Sequence, residues 1–274
     1  MQEQNFYSYP SGKIIICGQT IYCYFYSQKW FAHKRRKDRA ETKKASDPLL
    51  SFKRSKTNTE RIIKCNAWEW FGDDGQTFLP VFLTLTFKEN IQNLNIANRE
   101  FSKFIQRLNY EVHGEKKAKL QYLGVVEFQN RGAIHYHIIF FNLPFIQNVY
   151  DIWGNGMVDL KGVKTMRGLT RYLSKYMVKG GEVGRLKGRK RYFTSKKVLR
   201  PVVIKDYFIA KDIFDNLEKR LEYKKSFKID FIGDIDFYIY LLQNKERILD
   251  FDLDHQSRMA IESEINRERE KTKL

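Results

Sequence analysis

Several features are scarce or missing in this sequence, and each absence excludes a class of protein. The chain has only three cysteines, Cys17, Cys23 and Cys65, without zinc-site spacing, so we expect neither a disulfide framework nor a cysteine zinc site. No apolar run approaches the roughly 18 residues that span a bilayer, so we expect no contact with a membrane. The N-terminus lacks a basic region followed by an apolar core, so we expect no signal peptide and a cytoplasmic location.

Acidic residues are few relative to basic ones. The chain carries 50 Lys plus Arg against 32 Asp plus Glu, a formal net charge of +18. Such an excess implies an anionic partner, most often nucleic acid. The charge is clustered in residues 34–37 and in residues 179–205, although a charge run is often only a solvated face. The sequence contains no Gly-rich P-loop, so nothing indicates an attached helicase.

Two histidines stand in one apolar run, Ile134-His135-Tyr136-His137-Ile138. Successive residues of a strand point to opposite faces, so His135 and His137 share a face and Tyr136 lies on the other. Two imidazoles and a carboxylate eight residues upstream, Glu127, can surround a divalent cation. The alternative is a pair of core histidines bonded to backbone carbonyls.

A later stretch, residues 168–179, contains the same pattern twice, four residues apart. Tyr172 and Tyr176 would share one face of a helix, with Lys175 and Lys179 one turn beyond them. A phenol is a poor nucleophile near neutral pH because its pKa is about 10, but a nearby cation favours the phenolate. The alternative is an amphipathic helix with half-buried tyrosines and solvated lysines.

A third stretch, Phe82-Leu83-Thr84-Leu85-Thr86-Phe87, alternates hydroxyl and apolar residues. The alternation predicts a strand with one buried face. Thr84 and Thr86 on the open face can contact phosphate oxygens, or they can simply be strand-forming residues on a solvated face.

In this order, the three stretches resemble the HUH endonucleases that initiate rolling-circle replication. The similarity is to initiator proteins of small single-stranded DNA phages, the microvirus-like type, and of related bacterial plasmids. It covers roughly residues 60–201 and includes Trp153-Gly154-Asn155-Gly156 and the basic segment Tyr192 to Pro201. The doubled tyrosine is similar to the two-tyrosine phage type of this family.

The resemblance implies a metal-dependent, site-specific DNA endonuclease and strand transferase. His135 and His137 would bind Mn²⁺ or Mg²⁺ with Glu127 as the third ligand, and Gln129 is the alternative third ligand. Tyr172 or Tyr176 would attack single-stranded origin DNA, leaving a 5′-phosphotyrosine and a free 3′-hydroxyl. Lys175 and Lys179 would stabilise phosphate or phenolate charge.

The resemblance also implies partners. These are single-stranded origin DNA, a host helicase and a host DNA polymerase in the cytoplasm of a bacterial host cell. The residues that we expect to contact DNA are Thr84, Thr86, Arg131, Arg189, Lys190, Arg191, Lys196, Lys197 and Arg200.

The order of predicted elements is compatible with an α+β fold, in which an antiparallel sheet is backed by helices. The resemblance implies an RRM-like or ferredoxin-like sheet with the His-x-His residues on a central strand. We expect an N-terminal hairpin and basic arm over residues 1–60, an endonuclease domain over 61–205 and a mixed, partly helical extension over 206–274. Within the arm, residues 33–60 are expected to be mobile or to form a helix ordered by DNA.

Two other functions remain open at this stage. One is an HUH-type transposase, which shares the chemistry but moves an element. The other is a non-catalytic, basic nucleic-acid-binding protein of RRM-like fold, which would bind DNA or RNA in a salt-dependent way without cleaving it.

Overall fold

The computed structural model describes most of the chain. The described residues are 6–8, 11–27, 31–33, 48–67, 70–71, 77–78, 80–144, 146, 148–162, 172–173, 175–177, 186, 190–230, 233–243 and 246–273. The chain divides into two units. The terminal unit contains Met1–Ser46 and Leu199–Lys271, and the site unit contains Asp47–Val198 with Thr272–Leu274.

The described elements are as follows in chain order. The strands are β1 (Phe6–Ser8), β2 (Gly12–Cys17), β3 (Thr20–Tyr26), β4 (Phe31–His33), β5 (Trp70–Phe71), β6 (Thr77–Phe78), β7 (Val81–Thr86), β8 (Tyr122–Phe128), β9 (Ile134–Phe140), β10 (Val158–Gly162), β11 (Phe193–Thr194), β12 (Val202–Ile204), β13 (Leu221–Ile229) and β14 (Gly233–Leu241). The helices are α1 (Pro48–Asn66), α2 (Leu94–His113), α3 (Val149–Trp153), α4 (Tyr207–Asn216) and α5 (His255–Lys273).

The site unit is built on a five-stranded antiparallel sheet in the order β10-β7-β9-β8-β11. Strand β9 is central, and all seven of its residues are buried. Its β-branched and aromatic residues suit a strand that is covered on both faces. The α+β class with antiparallel sheets is therefore confirmed, and His135 and His137 lie on the central strand.

Helix α2 covers one face of this sheet. Its apolar residues recur at helical spacing, and Ala97, Phe101, Phe104 and Leu108 pack with the alternate residues of β7 and β9. The Asn93 side chain caps the helix by accepting bonds from the backbone of residues 95 and 96. The helix face that the sequence predicts thus becomes the main core.

Tyr136 lies on the α2 face of the sheet, as strand alternation predicts. Its ring stacks on Phe101 with the centroids 4.8 Å apart, and its hydroxyl donates to Asn98 Oδ1 at 2.7 Å. Tyr136 is therefore a core residue, and the histidines on either side of it face the other way.

Helix α1 packs on the histidine face of the sheet. Ile62 and Ile63 are buried there with Phe82, Val125 and Ile139. The sequence predicted a mobile arm or a DNA-ordered helix over residues 33–60, but residues 48–60 belong to this packed helix. The prediction failed there because α1 is polar over most of its length, and its buried apolar residues lie near its end.

The terminal unit is built on a second five-stranded antiparallel sheet, in the order β12-β2-β3-β14-β13. The predicted hairpin over residues 13–26 is present as β2 and β3. Helix α4 begins at the cap residue Asp206 and buries Ala210 and Ile213 against this sheet. Strands from the two ends of the chain therefore share one sheet.

Candidate active site

A tight hairpin between β8 and β9 brings Glu127 to the histidines. Glu127 pairs with His135 across the two strands. The backbone N–H of Gln129 donates to Ala133 at 2.9 Å, and Gly132 takes a φ of 84°, which favours glycine. Because paired residues of an antiparallel sheet lie on the same face, Glu127, His135 and His137 face one space.

These three side chains form a compact cluster. Glu127 Oε2 lies 2.7 Å from His137 Nε2, and one ligand atom from each residue lies within 4.8 Å of the others. His135 and His137 are both buried. Two imidazole nitrogens and one carboxylate oxygen suit a divalent transition metal or Mn²⁺. Within the described ranges, no other group of three His, Cys, Asp or Glu residues has this geometry.

Each histidine is oriented by a second polar side chain. Thr84 Oγ1 lies 3.2 Å from His137 Nδ1, and Gln129 Nε2 lies 3.3 Å from His135 Nδ1. When Nδ1 carries the proton, it donates to the hydroxyl or to the oxygen of the turned amide, and Nε2 offers its lone pair to a metal. Such outer contacts are typical of metal-binding histidines, so the donor set fits a divalent ion.

The electrostatics of the cluster favour neutral imidazole. Burial lowers the pKa of His135 below its usual value, and His137 and Arg131 lower it further, whereas Glu127 acts in the opposite direction. A neutral ring is the form that binds metal. His135 is therefore a competent ligand at neutral pH.

Both tyrosines lie on the histidine face of the sheet. Tyr172, Leu173 and residues 175–177 are helical, and Leu173 and Met177 are buried in the core cluster that contains Phe82. The Tyr176 ring stacks on His137, with the centroids 3.5 Å apart and the planes inclined by 19°. The Tyr172 ring meets Phe82 edge-on at 4.3 Å. The predicted metal ligands and the two predicted nucleophiles are thus brought together.

The two phenols are linked directly. Tyr176 Oη donates to Tyr172 Oη at 3.0 Å. Burial raises the pKa of Tyr176, and its hydrogen bond to Tyr172 raises it further. Of the predicted lysines, Lys175 is exposed, and Lys179 lies outside the described residues.

Strand β10 adds two residues that the sequence did not single out. Asp159 pairs with Thr84, and Lys161 pairs with Phe82, so both lie on the histidine face. Lys161 Nζ lies 2.7 Å from Asp159 Oδ2. The hydrogen bond to Asp159 and the charge of Tyr172 raise the pKa of Lys161, which also hydrogen-bonds Tyr172. Their spacing of two residues in a predicted strand was the available signal, but it does not reveal which face they occupy.

The two threonines of β7 have different partners. Thr84 contacts His137, whereas the Thr86 hydroxyl donates to the Met157 carbonyl at 3.2 Å and accepts from the Met157 N–H at 3.1 Å. Both hydroxyls therefore support the architecture around the site. Their role as DNA contacts stays a prediction.

The other residues predicted to contact DNA are spread along the chain. Arg131 is exposed in the β8–β9 turn, close enough to lower the pKa of His135. The Arg191 guanidinium lies over the Phe52 ring of α1 at 5.9 Å. Exposed Lys190 and Lys196 and half-buried Lys197 belong to the site unit, and Arg200 belongs to the terminal unit. Arg189 and the basic run at residues 34–37 lie outside the described residues.

Comparison with protein families gives one match. Residues 80–181 match the family model of the replication-associated protein ORF2, which covers less than half of the chain. The matched segment contains the metal-ligand cluster and the tyrosine pair, and the match supports a Rep-type replication initiator. Neither the curated proteins nor the solved structures gave a match to this chain. Among the described helices, none is long and apolar enough to cross a membrane.

Proposed function

We propose that this protein is a replication initiator of the HUH type that nicks single-stranded origin DNA through a tyrosine. The observation that carries the proposal is the position of Tyr176, whose ring stacks 3.5 Å from the ring of His137 within the Glu127, His135 and His137 cluster. A nucleophile and a metal-ligand cluster must be this close if both are to act on one phosphate.

The cluster would hold Mn²⁺ or Mg²⁺, and two imidazoles favour Mn²⁺. When bound, the metal would polarise the scissile phosphate and stabilise its developing negative charge. Thr84 and Gln129 would keep the two rings in the ligating orientation through their Nδ1 atoms. The low pKa of His135 keeps its ring available as a ligand at neutral pH.

The tyrosines would carry out the covalent step. A phenol oxygen bonds to phosphorus, the bond from phosphorus to the 3′ oxygen breaks, and the 3′ oxygen gains the proton that the phenol loses. The products are a 5′-phosphotyrosine and a 3′-hydroxyl. The second tyrosine would cleave the regenerated origin, and the released 3′-hydroxyl would displace the first tyrosine. Because each step exchanges one phosphodiester for another, rejoining needs no ATP.

Basic residues would hold the DNA. Exposed Lys175, together with Lys179, would neutralise phosphate charge beside the nucleophiles. The predicted contacts Thr84, Thr86, Arg131, Arg189, Lys190, Arg191, Lys196, Lys197 and Arg200 would follow the strand on either side. A host DNA polymerase would extend the 3′-hydroxyl, a host helicase would open the duplex, and the reaction would take place in the cytoplasm of a bacterium that carries the phage or plasmid.

The experiment is cleavage of labelled single-stranded oligonucleotides that tile the genetic element encoding the protein, with Mn²⁺, analysed on a denaturing protein gel. A 5′-phosphotyrosine keeps a 3′-end label on the protein and releases a 5′-end label. We expect this pattern, its loss with EDTA, and its loss in a Tyr172→Phe plus Tyr176→Phe variant. Tyr110→Phe, which changes a tyrosine of α2 that is 57% exposed, is the matched control.

Two results would contradict the proposal. A 5′-end label that stays on the protein would reverse the polarity of the linkage. Salt-dependent binding of the same oligonucleotides, without any adduct and without an effect of EDTA, would instead indicate a non-catalytic nucleic-acid-binding protein.

A further inference from the structure

The two tyrosines of the site have different surroundings. The Tyr176 ring stacks on His137, and its hydroxyl donates to Tyr172 Oη at 3.0 Å. The Tyr172 ring leans edge-on against Phe82, and its oxygen is the acceptor of the pair. The sequence treats these residues as equivalent, whereas the structure makes one a donor and the other an acceptor.

A second donor reaches Tyr172 from strand β10. Lys161 interacts with Tyr172 through its charge and through a hydrogen bond. Its ammonium is anchored by Asp159, with Nζ 2.7 Å from Oδ2. Two donors, one of them cationic, therefore meet at the oxygen of Tyr172.

The edge position of β10 fixes this arrangement. Asp159 is paired with Thr84, the residue that contacts His137, and Lys161 is paired with Phe82, the residue on which Tyr172 rests. The same antiparallel register therefore aligns the metal-ligand support with one residue and the tyrosine support with the other. Both side chains are about half exposed, so they are accessible to solvent.

An attacking phenol needs negative charge on its oxygen, and hydrogen-bond donors and a nearby cation stabilise that charge. Tyr172 has both, whereas the Tyr176 hydroxyl uses its own proton in a bond to Tyr172. We propose that Lys161, held by Asp159, is a positioning residue that makes Tyr172 the first nucleophile and reserves Tyr176 for the second cleavage. This inference rests on the proposed function of the site.

The order of the two steps follows from the same contacts. In the first step, Tyr172 Oη bonds to phosphorus, the phosphorus–O3′ bond breaks, and the 3′ oxygen gains the phenol proton while Lys161 keeps its own. Esterification removes the negative charge that Tyr172 can carry, so the Tyr176 hydroxyl loses its best acceptor and becomes available for the second cleavage. The 3′-hydroxyl released in that cleavage then attacks the phosphate on Tyr172, which leaves and is reprotonated.

The test is to map the DNA adduct in a single turnover. The full-length protein is mixed with Mn²⁺ and the cleaved oligonucleotide, digested with a protease, and the modified tyrosine is identified by mass spectrometry. We expect the first adduct of the unmodified protein on Tyr172. We expect Lys161→Met to lower the Tyr172 adduct about tenfold relative to the Tyr176 adduct, because a charge-assisted bond is lost. Lys161→Arg should retain most of the original ratio, and Asp159→Asn should shift it less than Lys161→Met.

The matched control is a second acid–lysine pair of the site unit, Glu100 and Lys103 on α2, which are 2.9 Å apart. Lys103→Met should leave the adduct ratio unchanged. A purely structural role for Lys161 would lower both adducts equally, so an unchanged ratio in Lys161→Met overturns the inference. A first adduct on Tyr176 in the unmodified protein also overturns it, while leaving the proposed function intact. No adduct on either tyrosine would overturn both proposals.

Discussion

The two five-stranded antiparallel sheets of this protein have similar architecture and different chemistry. In the site unit, the central strand β9 is buried along its whole length and carries two histidines. In the terminal unit, the edge strand β13 is exposed along most of its length and carries Lys224, Lys225 and Lys228. Lysines on an exposed edge strand oppose pairing with other chains, whereas polar groups in a buried strand need dedicated partners.

The partners of the buried histidines are what distinguish the site unit. His135 and His137 contact Gln129, Glu127 and Thr84, all side chains from neighbouring strand segments. A buried ionisable group of the terminal sheet, Cys23, has its pKa raised by burial, which keeps it in the inert thiol form. The comparison teaches that the sheet is a scaffold, and that the function depends on a few polar residues placed on one face of it.

The largest effect is expected from removing the histidines. His135→Ala plus His137→Ala should abolish Mn²⁺ binding in calorimetry and lower nicking about a thousandfold, because the metal supplies several kcal/mol of charge stabilisation. His255→Ala, which changes an exposed histidine at the start of α5, is the control in the terminal unit. Full nicking activity in the double variant would refute the metal site.

Packing should also separate the two sheets. Ile138→Ala in β9 removes a fully buried side chain and should lower the free energy of unfolding by about 2–5 kcal/mol. Phe227→Ala in β13 removes a side chain that is 37% exposed and should cost clearly less. Urea denaturation of both variants measures the difference, and equal losses would show that β13 is buried in solution.

A smaller effect is expected from the hydroxyl behind His137. Thr84→Val should weaken Mn²⁺ binding about tenfold to a hundredfold, because outer contacts orient metal-binding histidines. Thr86→Val, whose hydroxyl contacts the backbone of Met157, should weaken it much less. Equal metal affinity in the two variants, with reduced affinity for single-stranded DNA in both, would favour phosphate contact as their shared role.

The smallest effect concerns pH and the terminal unit. Arg220 and the backbone at Gln243 lower the pKa of Glu246 from 4.5 to about 2. Because the pKa is lower in the folded protein, the stabilisation is present above pH 4.5 and is lost as the pH falls towards 2. Arg220→Met should therefore cause a small decrease in Tm at pH 7 that shrinks on acidification. A decrease in Tm that does not change with pH would assign the role of Arg220 to packing.

Local patterns predicted much of the site unit. Strand alternation correctly placed His135 and His137 together and Tyr136 on the opposite face, because the period of a strand depends only on backbone geometry. The apolar spacing of α2 predicted its buried face for the same reason. The predicted association of Glu127 with the histidines needed only a short hairpin, which a glycine-containing turn favours.

Contacts between distant segments were not predictable in this way. Asp159 and Lys161 reach the tyrosines through the register of β10 with β7, and two residues of spacing in a strand fix a shared face without fixing which one. The terminal sheet joins β3 to β14, segments more than two hundred residues apart, and neither strand carries a local signal for its partner. Helix α1 was misjudged because its average polarity concealed the two buried isoleucines near its end.

The sharing of one sheet by both ends of the chain also has a consequence for synthesis on the ribosome. Strands β2 and β3 leave the exit tunnel early, but their neighbours β12 and β14 are made only after the whole site unit. Because domains generally fold as they emerge, we expect the site unit to fold first, while the N-terminal hairpin waits for the last quarter of the chain. A premature stop after the site unit would therefore leave the terminal sheet incomplete and its apolar strands exposed.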